Sequence, residues 1–152
     1  MTVFTALAVL MVVGHYVGDY VVQTDWMASL KVAGATYPAG HPAEGRPVPA
    51  WLSWWWNQVH AATYTATIAT TVAGVAALGG FADQLGTVPG WRWLVATAAN
   101  WTAHGLIDRR WPVVRLMVLT GSGPFSRNGG AAHVDQTLHL LTLLVLAAFL
   151  AR

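Results

Sequence analysis

The stretch VFTALAVLMVVGHYVGDYVV, Val3 to Val22, decides how the rest of the chain is read. Its length matches the roughly 20 mostly apolar residues that a helix needs to cross a bilayer core. No Lys or Arg precedes it. It therefore lacks the basic n-region of a signal peptide and reads as a retained membrane helix. Near its end stand His15 and Asp19, an i,i+4 pair that shares one helix face. Ionisable side chains within a span are costly and mark a functional site by default.

The remainder of the chain fits this beginning. Of 152 residues, 55% are hydrophobic and 9% charged. A soluble domain carries about 25% charged residues, so a lipid-facing surface is the simpler reading. Further spans are predicted at about Trp54–Leu78, Trp91–Ile107 and Val134–Leu150. The expected fold is all-α, an integral membrane four-helix bundle forming a single transmembrane domain over residues 1–152. The Pro- and Gly-rich loop around Pro38 to Pro49 excludes a long helix. Val113 to Leu119 reads as a short interfacial helix, and Asp25 as the cap of a short helix over Met27 to Lys31.

Nine Trp residues, most near predicted span ends, form the aromatic belt expected at headgroup level; Trp101 falls inside a span. The first and third loops hold Lys31, Arg46, Arg109, Arg110, Arg115 and Arg127, whereas the other side holds Arg92 and Arg152. The positive-inside rule places both loops in the cytoplasm and both termini outside. Eight scattered basic residues are too few for a nucleic-acid footprint. With no Cys, disulfides and thiolate chemistry are excluded, and any metal ligands must be His or oxygen donors.

Two further i,i+4 pairs, His104/Asp108 and Asp135/His139, join the first, and span two adds His60. Because spans alternate in direction, all seven residues fall near the predicted cytoplasmic face. In each pair the His lies about 6 Å deeper than the Asp. The expected polar site thus has an inner layer of His15, His60, His104 and His139. Its outer layer is Asp19, Asp108 and Asp135, with Asn57 and Gln136 nearby. Seven such groups suit two divalent transition metal ions, with Zn, Mn and Fe all compatible. A single buried His such as His60 is more often a packed core residue; three pairs at one depth favour metal ligands. His41 reads as solvent-exposed, and His133 as a helix-end residue or a support for the ligands.

The segment from His15 through Asp19 and Gln23 to Met27 resembles the opening motif of the bacterial and phage membrane family known as domain of unknown function 3307 (DUF3307). His104-Gly-Leu-Ile-Asp108-Arg109 resembles its third-helix motif, and Asp135-Gln136-Thr-Leu-His139 its closing motif. This implies a multi-pass protein of the bacterial cytoplasmic (inner) membrane. A more distant likeness is to small membrane proteins labelled metal-dependent hydrolases.

The first functional expectation is therefore an intramembrane metal-dependent hydrolase with a dinuclear His/Asp site. Its substrate is expected to be lipid-linked or phosphorylated, reached from the membrane lipid. Gln136 or Gln23 is expected to orient the attacking water. Arg109, Arg110 and Arg127 are expected to hold an anionic head group; for Arg109 and Arg110 a role as topological anchors weighs equally. The alternatives are a divalent metal transporter or metal-binding sensor, a structural protein with a buried polar network, and a haem-binding bundle. The interleaved Asp residues count against haem. A homo-oligomer stays open.

Overall fold

The structure is a computed structural model and describes residues 2–152. It is all-helical. Among the described residues the only β-type pairing is one bridge between Thr36 and Pro47. Helix α1 (Val3–Val17) continues into a π-helical turn, Gly18–Val22. There follow α2 (Asp25–Leu30), α3 (Ala50–Leu78), α4 (Ala82–Gly86), α5 (Gly90–Ile107) and α6 (Trp111–Leu119). The turn α7 (Gly123–Phe125) and a second π-helical turn, Ser126–Gly130, lead into α8 (Ala131–Leu150).

Among the described residues, three helical stretches are long and apolar enough to cross a membrane: Val3–Val22, Ala50–Leu78 and Gly123–Leu150. They leave Val9, Val13, Val21, Val75, Leu141 and Val145 exposed. Apolar surface on that scale suits lipid better than water. The third expected span is a helix, and α5 has 18 residues. It is not among the three apolar stretches, because Arg92, Asn100 and His104 interrupt its hydropathy. The second and fourth helices begin earlier than expected, at Ala50 and Ala131. The short helix expected near Val113 is present as α6. The cap of α2 differs from expectation. Thr24, not Asp25, accepts the Met27 N–H at 3.2 Å, and Asp25 is the first helical residue.

The chain divides into two compact units. The first comprises the segment up to Gln23, Ala62–Thr102 and Leu140–Arg152. Its core includes Leu7, Tyr64, Ile68, Val72, Leu143 and Ala147. Here α1 meets α3 at Gly14 and Gly18, a pair of small residues four apart that lets backbones approach. A Cβ on Gly14 would stand 2.9 Å from the Ile68 Cα, and one on Gly18 2.9 Å from the Tyr64 ring.

The second unit comprises Thr24–Ala61 and Ala103–His139. Leu30, Ala35 and Val48 form its small core, packed by Trp26, Leu52 and Trp56. His41, expected in solvent, is half-buried and stacks on Tyr37 with centroids 4.4 Å apart. Before α8 the chain breaks helical geometry at Asn128 and Gly129, the latter at φ +91.

Candidate metal centre

In the second unit, α5 ends where its chemistry begins. The Asp108 N–H still reaches the His104 carbonyl at 3.0 Å, so the last turn stays α-helical through Asp108. The next N–H groups, of Arg109 and Arg110, bond only three residues back, and Arg110 turns the chain with φ +62. Asp108 is thus held over His104 on one face. Asn57, fully buried on α3, donates its amide to the Gly105 carbonyl at 3.0 Å. That bond sits beside His104 and three residues before His60, and it clamps the two histidine-bearing helices. A Cβ on Gly105 would press on Asn57 Oδ1 at 3.2 Å, so a residue without a side chain allows the approach.

The result is a tight convergence. His60 Nε2 lies 3.2 Å and His104 Nε2 3.0 Å from Asp108 Oδ2, and the two Nε2 atoms are 2.9 Å apart. Both histidines and the carboxylate are buried. Metal–ligand lengths of about 2.0–2.1 Å imply ligand–ligand edges of roughly 2.9 to 3.3 Å, from octahedral to tetrahedral geometry. The three donor atoms therefore match the face of a coordination polyhedron, and their chemistry suits Zn, Mn or Fe.

A second group of donors in the same unit, from Asp108, Asp135 and His139, lies with all atoms within 4.8 Å of one another. Asp108 belongs to both groups. His139 Nδ1 is 3.5 Å from Asp135 Oδ2, and its ring centroid is 4.5 Å from that of His104. Gln136 donates to Asp135 Oδ2 at 3.4 Å, which holds that carboxylate.

One neighbour was not foreseen. The buried Lys31 ammonium donates to the same Asp108 Oδ2 at 2.9 Å. Burial works against the charged form of Asp108. His104, His60 and the Lys31 ammonium surround that carboxylate and offset the cost. Sequence reading took Lys31 for a loop cation, because a contact 77 residues away leaves no local signal.

Arg109 is also buried. Its guanidinium donates to the Lys31 carbonyl at 2.9 Å and to Ser53 Oγ at 2.7 Å, and it covers the Trp54 ring at 4.5 Å. It fixes the segment that carries Lys31, whereas Arg110 and Arg127 are exposed.

His15 and Asp19 belong to the first unit. There His15 Nδ1 is 3.0 Å from the Tyr64 hydroxyl and 3.5 Å from Asp19 Oδ2. Gln23, also in that unit, is half-buried, and its N–H closes the π-helical turn on the Gly18 carbonyl. Of the seven expected ligands, His60, His104, Asp108, Asp135 and His139 share the second unit; His15 and Asp19 pair with each other in the first.

The chain matches no protein-family model, no curated protein and no solved structure.

Proposed function

We propose that this chain is a metal-dependent hydrolase of the membrane, acting on a lipid-linked or phosphorylated substrate. The observation that carries the reading is the meeting of His60 Nε2, His104 Nε2 and Asp108 Oδ2 within 3.2 Å of one another. In this reading α5 joins the three apolar stretches as the third of four spans, a four-helix bundle in the bacterial inner membrane. The site faces the cytoplasm and both termini lie outside. Membership of the DUF3307 family, on the His104–Asp108 and Asp135–His139 motifs, belongs to the same proposal.

His60, His104 and Asp108 would hold one divalent ion, and Asp108, Asp135 and His139 a second, Asp108 being common to both groups. Bound there, Zn, Mn or Fe supplies a Lewis acid that activates water and polarises a phosphoryl or acyl oxygen. Asn57 keeps the two histidines at their separation. Gln136 orients Asp135. The exposed Arg110 and Arg127 are available to an anionic head group, and the buried Arg109 is a positioning residue.

The Lys31–Asp108 pair favours a second reading. A lysine already neutralises the carboxylate, so the cluster also works as a metal-free polar network that locks helix register. Hydrolysis assays separate the two. Protein in lipid nanodiscs, supplied with Zn, Mn or Fe, is presented with lipid phosphates, esters and amides. Turnover on one class, lost in His104→Ala while the fold persists, supports the hydrolase. Inert behaviour on every class, with no metal retained after all three additions, supports the network.

A further inference from the structure

The first unit contains a cavity of about 400 Å³ that the metal reading leaves unused. This size lies within the range of about 300–1,000 Å³ typical of ligand sites. We infer that it is a binding groove for a hydroxylated long-chain lipid, with the hydrocarbon in the groove and the hydroxyl on Asn100 and Thr65. The inference goes beyond the hydrolase reading and stands without it.

The shape follows from the sequence. Along α3 the groove is floored by Ala69, Ala73 and Ala76, and α5 contributes Ala96. Side chains this small cannot fill the space between two helices. Leu85 and Trp93 line the far end. From Thr65 to Ala76 the groove follows about 16 Å of helix at 1.5 Å per residue. That length suits an extended chain better than a round ligand. Met11, Ile68, Val72 and Leu150, from the three apolar helices, complete an apolar wall, and hydrocarbon chains are the medium such helices are built to meet.

The near end is polar. Asn100, 4% exposed, donates its amide to Thr65 Oγ1 at 3.1 Å. Both residues line the groove. That bond uses an Asn100 amide proton and an oxygen lone pair of Thr65; the Asn100 Oδ1 acceptor and the Thr65 hydroxyl proton take no part in it. A buried acceptor and a buried donor side by side complement a hydroxyl, which is both donor and acceptor. An alkane would leave them unsatisfied, which is costly in an apolar setting.

The test is photolabelling of the full chain in nanodiscs with a long-chain alcohol carrying a mid-chain diazirine. The expected result is saturable labelling of the segments that hold Ala69–Ala76 and Trp93–Asn100, competed by unlabelled alcohol. Ala73 is exposed in the groove, so Ala73→Leu is accommodated. It displaces a few methylenes of ligand and should lower labelling about tenfold. Asn100→Leu should reduce the preference for the alcohol over the matching alkane about fivefold, one hydrogen bond's worth. Thr65→Val serves the same purpose should Asn100→Leu fail to fold. Labelling that does not saturate, or that spreads evenly over the apolar faces of α1, α3 and α8, would overturn the inference in favour of ordinary surrounding lipid. Cross-links between two copies across Ala73, with no labelling there, would overturn it in favour of a dimer contact.

Discussion

His15-x-x-x-Asp19 and His104-x-x-x-Asp108 have the same spacing and the same residue types, yet they sit in different chemistry. In the first unit, His15 shares its Nδ1 between Asp19 and the Tyr64 hydroxyl. A phenol is a hydrogen-bonding partner that can both donate and accept. In the second unit, Asp108 gathers a second imidazole and an ammonium on one oxygen. The i,i+4 spacing makes a pair; what the neighbouring helix brings decides which other donors gather on its carboxylate. Tyr64 and His60 are four residues apart on α3, and each supplies the partner its own unit's pair meets.

The largest expected effect comes from breaking the richer of the two. Asp108→Ala takes the carboxylate from the buried Lys31 and should destabilise the protein by about 3–5 kcal/mol, as removal of one partner from a buried ion pair does. Denaturation of the variant in detergent, monitored by helix content, measures it. A loss under about 1 kcal/mol would show that the pair is solvated. Lys31→Met should be smaller in stability and opposite in binding. Removing a competing cation 2.9 Å from Oδ2 should raise divalent metal affinity at least tenfold. Titration calorimetry with Zn or Mn on wild type and variant reads this directly. Unchanged affinity would mean that Asp108 Oδ2 takes no part in binding. Tyr64→Phe should be the mildest, about 1 kcal/mol for one buried hydrogen bond. It should leave metal affinity untouched; a loss of metal in this variant would erase the distinction between the two pairs.

Much of this was legible in the residue order. Helical period and apolar length gave the helices, and i,i+4 spacing gave three His/Asp pairs whose partners do lie together. His60 could be named only because three pairs stand at its depth; alone it reads as a packed core histidine. What could not be read was which groups meet across long loops. Lys31 comes from a loop between helices, where a basic residue looks like a topological anchor; its carboxylate partner is set by packing. Arg109 follows Asp108 directly and looked available to substrate, but Ser53, the Lys31 carbonyl and Trp54 enclose it. Gly14 and Gly18 did carry a readable signal, the small-xxx-small spacing of close helix contact. α5 falls outside the apolar stretches for a physical reason: the polar residues that equip a helix for a site also lower its hydropathy.

The central claim is that the cluster around Asp108 holds metal, and metal content tests it most directly. Detergent-purified wild type and His104→Ala/Asp108→Ala would be compared by mass spectrometry after equilibration with Zn, Mn and Fe. The account predicts about two equivalents of one transition metal in the wild type, as a dinuclear site requires, and their loss in a variant that keeps its helices. Absence of bound metal in the wild type after all three additions would contradict it, and the cluster would stand as a Lys31-neutralised structural network.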